Sequence, residues 1–133
     1  AKDILGIASD QLEARIALSR SDPKSAVALL LHAVQTEDNL RYVEPPDWYL
    51  FSREALGGAL LSDSQFDEAE AVFRADLGKF QRKGRALFGL EASLRLQGKT
   101  AMARMIHKGL ETAWANSDTP LEPADIGWVF NVK

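Results

Sequence analysis

The residue types that most often carry chemistry are scattered along this chain and form no catalytic pattern. His32 and His107 are the only histidines, and neither has a second histidine or a carboxylate at ligand spacing. The absence of cysteine excludes disulfides, thiol catalysis and cysteine-bound metals. No serine lies in a Gly-x-Ser-x-Gly context, and the glycines form no phosphate-binding loop. We therefore expect no enzyme activity, no cofactor and no metal.

Two charged clusters have ordinary explanations. The acidic residues between Asp63 and Glu70 lack the glycine and the regular oxygen spacing of a calcium loop. A small basic cluster around Gly84 contains Lys79, Arg82, Lys83 and Arg85. It could contact phosphate, although such clusters are more often solvated loops near a helix C-terminus. The net charge of −3 also argues against a dedicated nucleic-acid or polybasic membrane binder. We expect neither nucleic acid nor membrane as a partner.

The length and composition predict one soluble globular domain. A chain of 133 residues is long enough to bury a core, and 46% hydrophobic with 26% charged residues is ordinary for that class. No apolar run approaches the roughly 20 residues that span a bilayer. The lack of cysteine leaves the compartment open. We favour the cytoplasm, and a periplasmic location would require removal of an N-terminal signal.

Apolar spacing, proline and glycine predict six helices and no strand. Ile4, Ile7, Ala8, Leu12, Ile16 and Leu18 supply the apolar stripe of the first helix. Ser21-Asp22-Pro23 predicts a capped helix start, and Gly98 predicts a helix end. Short connections make consecutive helices antiparallel. The predicted ranges are 3–20, 23–39, 46–61, 66–80, 85–97 and from 100 to between 114 and 116.

Two of these helical hairpins repeat at a spacing of 34 residues. Adding 34 takes Leu56 to Leu90, Leu60 to Leu94, Ser64 to Gly98, Ala69 to Ala103 and Val72 to Ile106. The interval from Ala26 to Ala69 is 43, and the connection 41–49 accounts for the nine additional residues. A helical pattern of this period is typical of repeat proteins that bind partners.

These residues resemble the tetratricopeptide repeat family. Leu56-Gly57 is similar to the Leu-Gly step of the family motif, and Ala69 with Phe73 is similar to its later Ala and Phe. In the third unit, Leu90 and Ala103 fit the spacing of 34, while Phe88-Gly89 offers a shifted Leu-Gly step. Residues 42–49, 53–57 and 86–90 also resemble a group of bacterial repeat proteins that has no clear biochemical function.

The resemblance implies an all-α fold, a right-handed superhelical stack of about three antiparallel helical hairpins. The single domain 1–133 would contain units at about 3–40, 46–81 and 84–116, followed by a capping segment 117–133. In such a solenoid, Trp128 and Phe130 would cover apolar surface at the exposed end.

The resemblance also implies a binding site, because in this family the first helix of each hairpin lines a concave face that usually binds peptides. For any one of the corresponding positions, an ordinary solvated or packed helix residue is the favoured interpretation. These positions are Arg15, Phe51, Glu54, Gly58, Arg85, Phe88, Ala92 and Arg95. Arginine and aromatic side chains suit an acidic or C-terminal peptide. Glu54 stands where the carboxylate clamp of chaperone-binding members needs a lysine, so we do not expect that particular role.

A second candidate site is the segment 44–49, where two prolines precede Trp48 and Tyr49. This aromatic pair could form a binding edge, although anchoring a long connection is the favoured interpretation. The predicted function is therefore a protein- or peptide-binding scaffold without catalysis. The alternative is a self-association module that forms a homodimer through exposed solenoid ends, with Trp114, Trp128 and Phe130 as contacts.

Overall fold

The computed structural model describes residues 2–43, 52–79 and 83–113, and all regular structure in these ranges is helical. The all-α prediction is confirmed to this extent. The six helices are α1 (Lys2–Ser19), α2 (Pro23–Val43), α3 (Ser52–Ser62), α4 (Phe66–Lys79), α5 (Lys83–Leu96) and α6 (Thr100–Ala113).

The turns within the three hairpins share one backbone structure. Each has a residue with left-handed φ: 61° at Ser21, 60° at Ser64 and 80° at Gly98. The N–H of this residue donates to the carbonyl three residues earlier, and the following N–H donates to a carbonyl five residues before itself. These two hydrogen bonds make up the Schellman motif, which ends a helix. The left-handed residues are therefore equivalent positions, and their spacing reproduces the predicted intervals of 43 and 34.

The second helix of each hairpin begins in the same way. Ala26, Ala69 and Ala103 each follow the left-handed residue by five positions, and each donates its N–H to the carbonyl four residues earlier. All three are buried. A small residue at this position lets the two helices of a hairpin approach closely. The prediction that these alanines are aligned is confirmed.

Asp22 caps α2 as predicted. Its carboxylate accepts hydrogen bonds from the Ser25 backbone N–H at 3.2 Å and from the Ser25 hydroxyl at 2.6 Å. These two bonds lower the pKa of Asp22, since both favour its charged form. Pro23 follows at the first helical position, where a missing N–H has no cost.

The observed end of α2 differs from the predicted one, and two other predicted features lie outside the described residues. α2 continues to Val43, four residues beyond the predicted end. Its extension is compatible with the sequence because the first helix breaker is Pro45, which restricts only the residue before it. The predicted start of α3 near residue 46 and the capping segment 117–133 lie outside the described residues.

Each helix packs against the next along the chain, and the first helices of consecutive hairpins also meet, α1 with α3 and α3 with α5. The main core contains buried residues from all three hairpins. Phe73 is completely buried at its centre. The tip of its ring lies so close to two glycines that an added Cβ would be 2.3 Å from Cζ at Gly57 and 2.2 Å at Gly89.

The predicted apolar stripe of α1 is wrong in part. Ile7 and Leu18 are buried together with Ala14, but Leu12 and Ile16 are exposed. The cause is angular: at about 100° per residue, Leu12 and Ile16 lie on the side of the helix opposite Ile7 and Leu18. α1 therefore carries two apolar faces, one in the core and one outside it.

Within the described ranges, no helix combines the length and apolar character needed to cross a membrane.

Candidate functional site

The equivalent turns define equivalent positions in α1, α3 and α5. Adding 43 to a position in α1 gives its counterpart in α3, and adding a further 34 gives the counterpart in α5. One such row contains Gln11, Glu54 and Phe88, and the next contains Arg15, Gly58 and Ala92. Most of the predicted groove residues thus belong to two neighbouring rows on one side of the first helices.

The predicted groove residues are more exposed on the outer helices α1 and α5 than on the central helix α3. Arg15 in α1 is exposed, as is Arg95 in α5, whereas Arg85, Phe88 and Ala92 are half-buried. In α3 the same rows are closed, since Glu54 is only 2% exposed and Gly58 is buried. The face is therefore accessible on its two flanking helices. Phe51 and the predicted aromatic edge, Trp48 and Tyr49, lie outside the described residues.

On α5, four of the predicted residues lie on one side of the helix. Arg85, Phe88, Ala92 and Arg95 follow one another at intervals of three, four and three residues, which keeps them on one face. Phe88 and Ala92 also pack against the main core. The aromatic ring is thus fixed in position while arginines lie on either side of it.

The beginning of α3 contains a buried charged group that the sequence analysis did not anticipate. Arg53 has a side-chain exposure of 8%, and its Nη2 donates to Asp38 Oδ2 at 2.5 Å. Its Nη1 lies 3.8 Å from Oε2 of Glu37, which is almost fully buried. Ser52, next to it, accepts a hydrogen bond from Gln11 at 2.9 Å. These contacts join α1 and α2 to α3 beside Glu54.

The charge on Arg53 is maintained by its neighbours. Burial alone would lower the pKa of the guanidinium. The hydrogen bond to Asp38 and the negative charges of Asp38, Glu37 and Asp76 together outweigh burial, so the pKa is raised. The sequence does contain a signal for this group, since Glu37 lies four residues after Ala33 and seven after Leu30. A carboxylate on the buried stripe of a helix requires a charged or hydrogen-bonded partner.

His107 belongs to a second charged group, between α5 and α6. Its Nδ1 lies 3.1 Å from Oε1 of Glu91 and its Nε2 lies 3.0 Å from Oε1 of Glu111, one helical turn further along α6. The expectation that neither histidine has a carboxylate at ligand spacing is therefore wrong for His107. Arg95 also pairs with Glu91. The hydrogen bond and charge of Glu91, with a smaller effect of Glu111, raise the pKa of His107. At the equivalent places in the middle hairpin are Gly57 and Phe73, so a polar pair here replaces an apolar contact.

A third charged group links α4 to the turn between α5 and α6. The carboxylate of Glu70 accepts hydrogen bonds from Arg74 Nε at 2.8 Å, Lys99 Nζ at 3.0 Å and Gln97 Nε2 at 3.0 Å. These three donors, the Arg74 bond most of all, lower the pKa of Glu70 from 4.5 to about 2. The group joins the middle and third hairpins and gives no indication of a ligand.

The other residues considered from the sequence have plain locations. His32 is exposed and its Nδ1 is 2.6 Å from Oδ2 of Asp10, which ties α2 to α1. In the basic cluster around Gly84, Arg85 is the member whose side chain is described, and it is half-buried. Trp114, Trp128 and Phe130 lie outside the described residues. Within residues 2–43, 52–79 and 83–113, no three His, Cys, Asp or Glu side chains are arranged to hold a metal ion.

No protein-family model, curated protein or solved structure matches this chain.

Proposed function

We propose that this chain is a protein-binding scaffold without catalytic activity. Its three hairpins would form a right-handed, tetratricopeptide-like superhelical stack in which α1, α3 and α5 line one concave face. The repeated Schellman turns, the aligned buried alanines and the contacts of α1 with α3 and of α3 with α5 support this arrangement. Stacked hairpins of this kind use their extended concave surface for binding.

The observation that carries the proposal is the shared face of the first helices. Arg15 on α1 and Arg95 on α5 are exposed, and Phe88 is half-buried between the arginines of α5. Arginine binds carboxylates through two parallel hydrogen bonds, and a fixed aromatic ring gives apolar contact at low entropic cost. The ligand that fits is an acidic peptide, or a peptide end with its carboxylate.

A peptide array tests this proposal. The probe is a set of labelled acidic peptides with free C-terminal carboxylates, and binding is measured by fluorescence anisotropy. We expect Arg15→Glu and Arg95→Glu each to weaken the binding of the best peptides by about tenfold or more, since each replaces an attraction with a repulsion. Arg104→Glu is the matched control, because Arg104 is an exposed arginine on α6, outside the shared face.

Two results would contradict the proposal. One is an array in which no acidic peptide binds more tightly than about 1 mM. The other is binding that Arg104→Glu weakens as much as Arg15→Glu and Arg95→Glu do, because that would be a response to net charge and not to the shared face.

A further inference from the structure

The second apolar face of α1 has three exposed large apolar residues, more than any other described helix. Leu5, Leu12 and Ile16 are 70%, 60% and 42% exposed. Together with Ser9 they follow one another at intervals of four, three and four residues. This is the spacing of a helix face that packs against one other helix. Within the described part of the chain, no helix packs against this face.

The equivalent turns show what this face does in the other hairpins. The counterparts of Leu12 are Ala55 in α3 and Gly89 in α5, and those of Ile16 are Ala59 and Ser93. Gly89, Ala59 and Ser93 are buried, and Gly89 lies against Phe73 of the preceding hairpin. The corresponding face of α5 therefore packs against the hairpin before it.

α1 differs from α3 and α5 in side-chain size. Where α3 and α5 have Ala, Gly or Ser, α1 has Leu and Ile. Phe73 could not approach Gly89 so closely if that position had even a Cβ. A further hairpin of the same kind thus cannot stack on α1 at this close approach. Two helices with large side chains can instead pack at the usual interaxial distance of about 8–10 Å.

The other end of the described stack does not complement this face. Phe73 and Leu77 of α4 pack in the core, and the residues 34 positions later in α6 are His107 and Glu111. A head-to-tail contact would place the apolar stripe of α1 against this polar pair. A contact of α1 with α1 of another molecule joins two apolar faces, and such an isologous contact closes as a dimer.

The charges beside the stripe favour one direction. In a parallel pair, Arg15 would lie next to Arg20 of the other molecule, as positions five residues apart do across a parallel seam. In an antiparallel pair, Ser9 lies near Leu12 of the other copy, Arg15 lies near Ala8, and Glu13 lies near Gly6. The antiparallel arrangement therefore brings no like charges together.

We propose that a second copy of this chain packs on the outer face of α1, with the two α1 helices antiparallel and with Leu5, Leu12 and Ile16 at the contact. This proposal does not depend on the peptide-binding face. A helix face about 27 Å long and about 10 Å wide covers on the order of 300 Å². Because a standard interface buries about 800 Å² per partner, the dimer is weak and its population depends on concentration.

Sedimentation equilibrium between ~10 µM and ~1 mM tests the contact. We expect the apparent mass to rise from 14.7 kDa towards twice that value. Leu12→Glu should keep the chain monomeric, with unchanged helix content by circular dichroism because Leu12 is exposed. Met105→Glu, at a 73% exposed apolar residue of α6, is the matched control and should associate like the unmodified chain. A monomer throughout this range, or a dimer that survives Leu12→Glu, would overturn the proposal.

The direction of the pair has its own measurement. Since the chain has no cysteine, Ser19→Cys provides a single site for a spin label near the end of α1. The antiparallel arrangement predicts a separation of about 25 Å between the labelled positions of the two copies, and a parallel pair predicts about 10 Å. Dipolar broadening of the continuous-wave EPR spectrum, with no pulsed-EPR distance near 25 Å, would indicate the shorter separation and would overturn the antiparallel contact.

Discussion

At the scale of single residues, the left-handed turn positions have a predictable energetic effect. Gly98 has a φ of 80° and no atom within 4 Å of an added Cβ, so only the backbone opposes a side chain there. Gly98→Ala should lower the free energy of unfolding by about 1 kcal/mol. Gly6→Ala is the matched control: Gly6 also has open space but lies inside α1. This change should raise the free energy of unfolding by about 0.5–1 kcal/mol.

Urea denaturation of the two variants measures both values. Changes of the same sign would contradict the assignment of Gly98 to a left-handed conformation.

The hydrogen bonds and ion pairs of Glu70 contribute to the free energy of unfolding, and this contribution is lost in acid. Its folded pKa is about 2, below its usual value of 4.5, so the unfolded state binds a proton more readily. The contribution is present above about pH 4.5 and is lost as the pH falls towards 2. Its size is on the order of 1 kcal/mol or less, because the partners are partly exposed and solvent screens them.

Urea midpoints between pH 2 and pH 6 should therefore change less steeply in Glu70→Gln than in the unmodified chain. Glu68→Gln, at an exposed carboxylate of the same helix, should keep the steeper dependence. If both variants matched the unmodified chain, the pairing of Glu70 with Arg74, Lys99 and Gln97 would be contradicted.

The contribution of His107 to stability depends on pH in the opposite direction to that of Glu70. The pKa of His107 is raised above 6.5 by Glu91 and Glu111, so its contribution is complete below about pH 6.5 and is lost as the pH rises through the folded pKa. An NMR titration of the imidazole protons should place this pKa above 6.5, and Glu91→Gln should lower it. A pKa that Glu91→Gln leaves unchanged would show that the 3.1 Å contact does not control the histidine.

At the scale of helices, the closest packing is that of Phe73 between α3 and α5. A Cβ at Gly57 or Gly89 would overlap the ring tip, and movement away from either glycine brings the ring towards the other. We expect Gly57→Ala and Gly89→Ala each to lower the free energy of unfolding by about 1–3 kcal/mol. The loss should be smaller when Phe73→Leu is also present, because the shorter side chain leaves room.

Gly109→Ala is the matched control for both changes. The nearest atom to its added Cβ is Leu87 Cδ1 at 3.9 Å, so the substitution causes no overlap and should be neutral or stabilising. Thermal unfolding followed by circular dichroism compares the variants. An equal loss with and without Phe73→Leu would contradict the close contact.

Much of the helix arrangement could be predicted from the sequence, because the turns are local. Ser21-Asp22-Pro23 and Gly98 act through their own backbone and near neighbours, and the spacing of Ala69 and Ala103 follows from equivalent turns. The core contact of Gly89 with Phe73 and the pairing of Arg53 with Asp38 join different hairpins. No local sequence pattern specifies which residues of different hairpins come into contact, so these contacts could not be predicted from the sequence.

The two faces of α1 show the same limit. Leu12 and Ile16 are apolar at helical spacing, and periodicity alone could not distinguish a core face from an exposed one. Likewise, the resemblance to tetratricopeptide repeats implies that Glu54 is one of the groove residues. Only the packing of its neighbours shows that it is buried while Arg15 and Arg95 are accessible.

At the scale of the whole molecule, the two proposed surfaces lie on different sides of the first helices. The shared face uses Arg15, Phe88 and Arg95, and the outer face of α1 uses Leu5, Leu12 and Ile16. A chain that dimerises through α1 would have one peptide-binding face per copy. Leu12→Glu should therefore abolish association without changing the affinity for an acidic peptide, which anisotropy and sedimentation together can measure.

The most direct test of peptide binding is a map of backbone amide chemical shifts. The ¹⁵N-labelled chain is titrated with the best acidic peptide from the array, at a concentration low enough to keep it monomeric. We predict saturable shifts at Arg15 on α1 and at Arg85, Phe88 and Arg95 on α5, and Arg95→Glu should need about tenfold more peptide, or more, to reach the same fraction of these shifts. Shifts confined to the outer sides of α2, α4 and α6, or to Leu5, Leu12 and Ile16, would contradict this prediction.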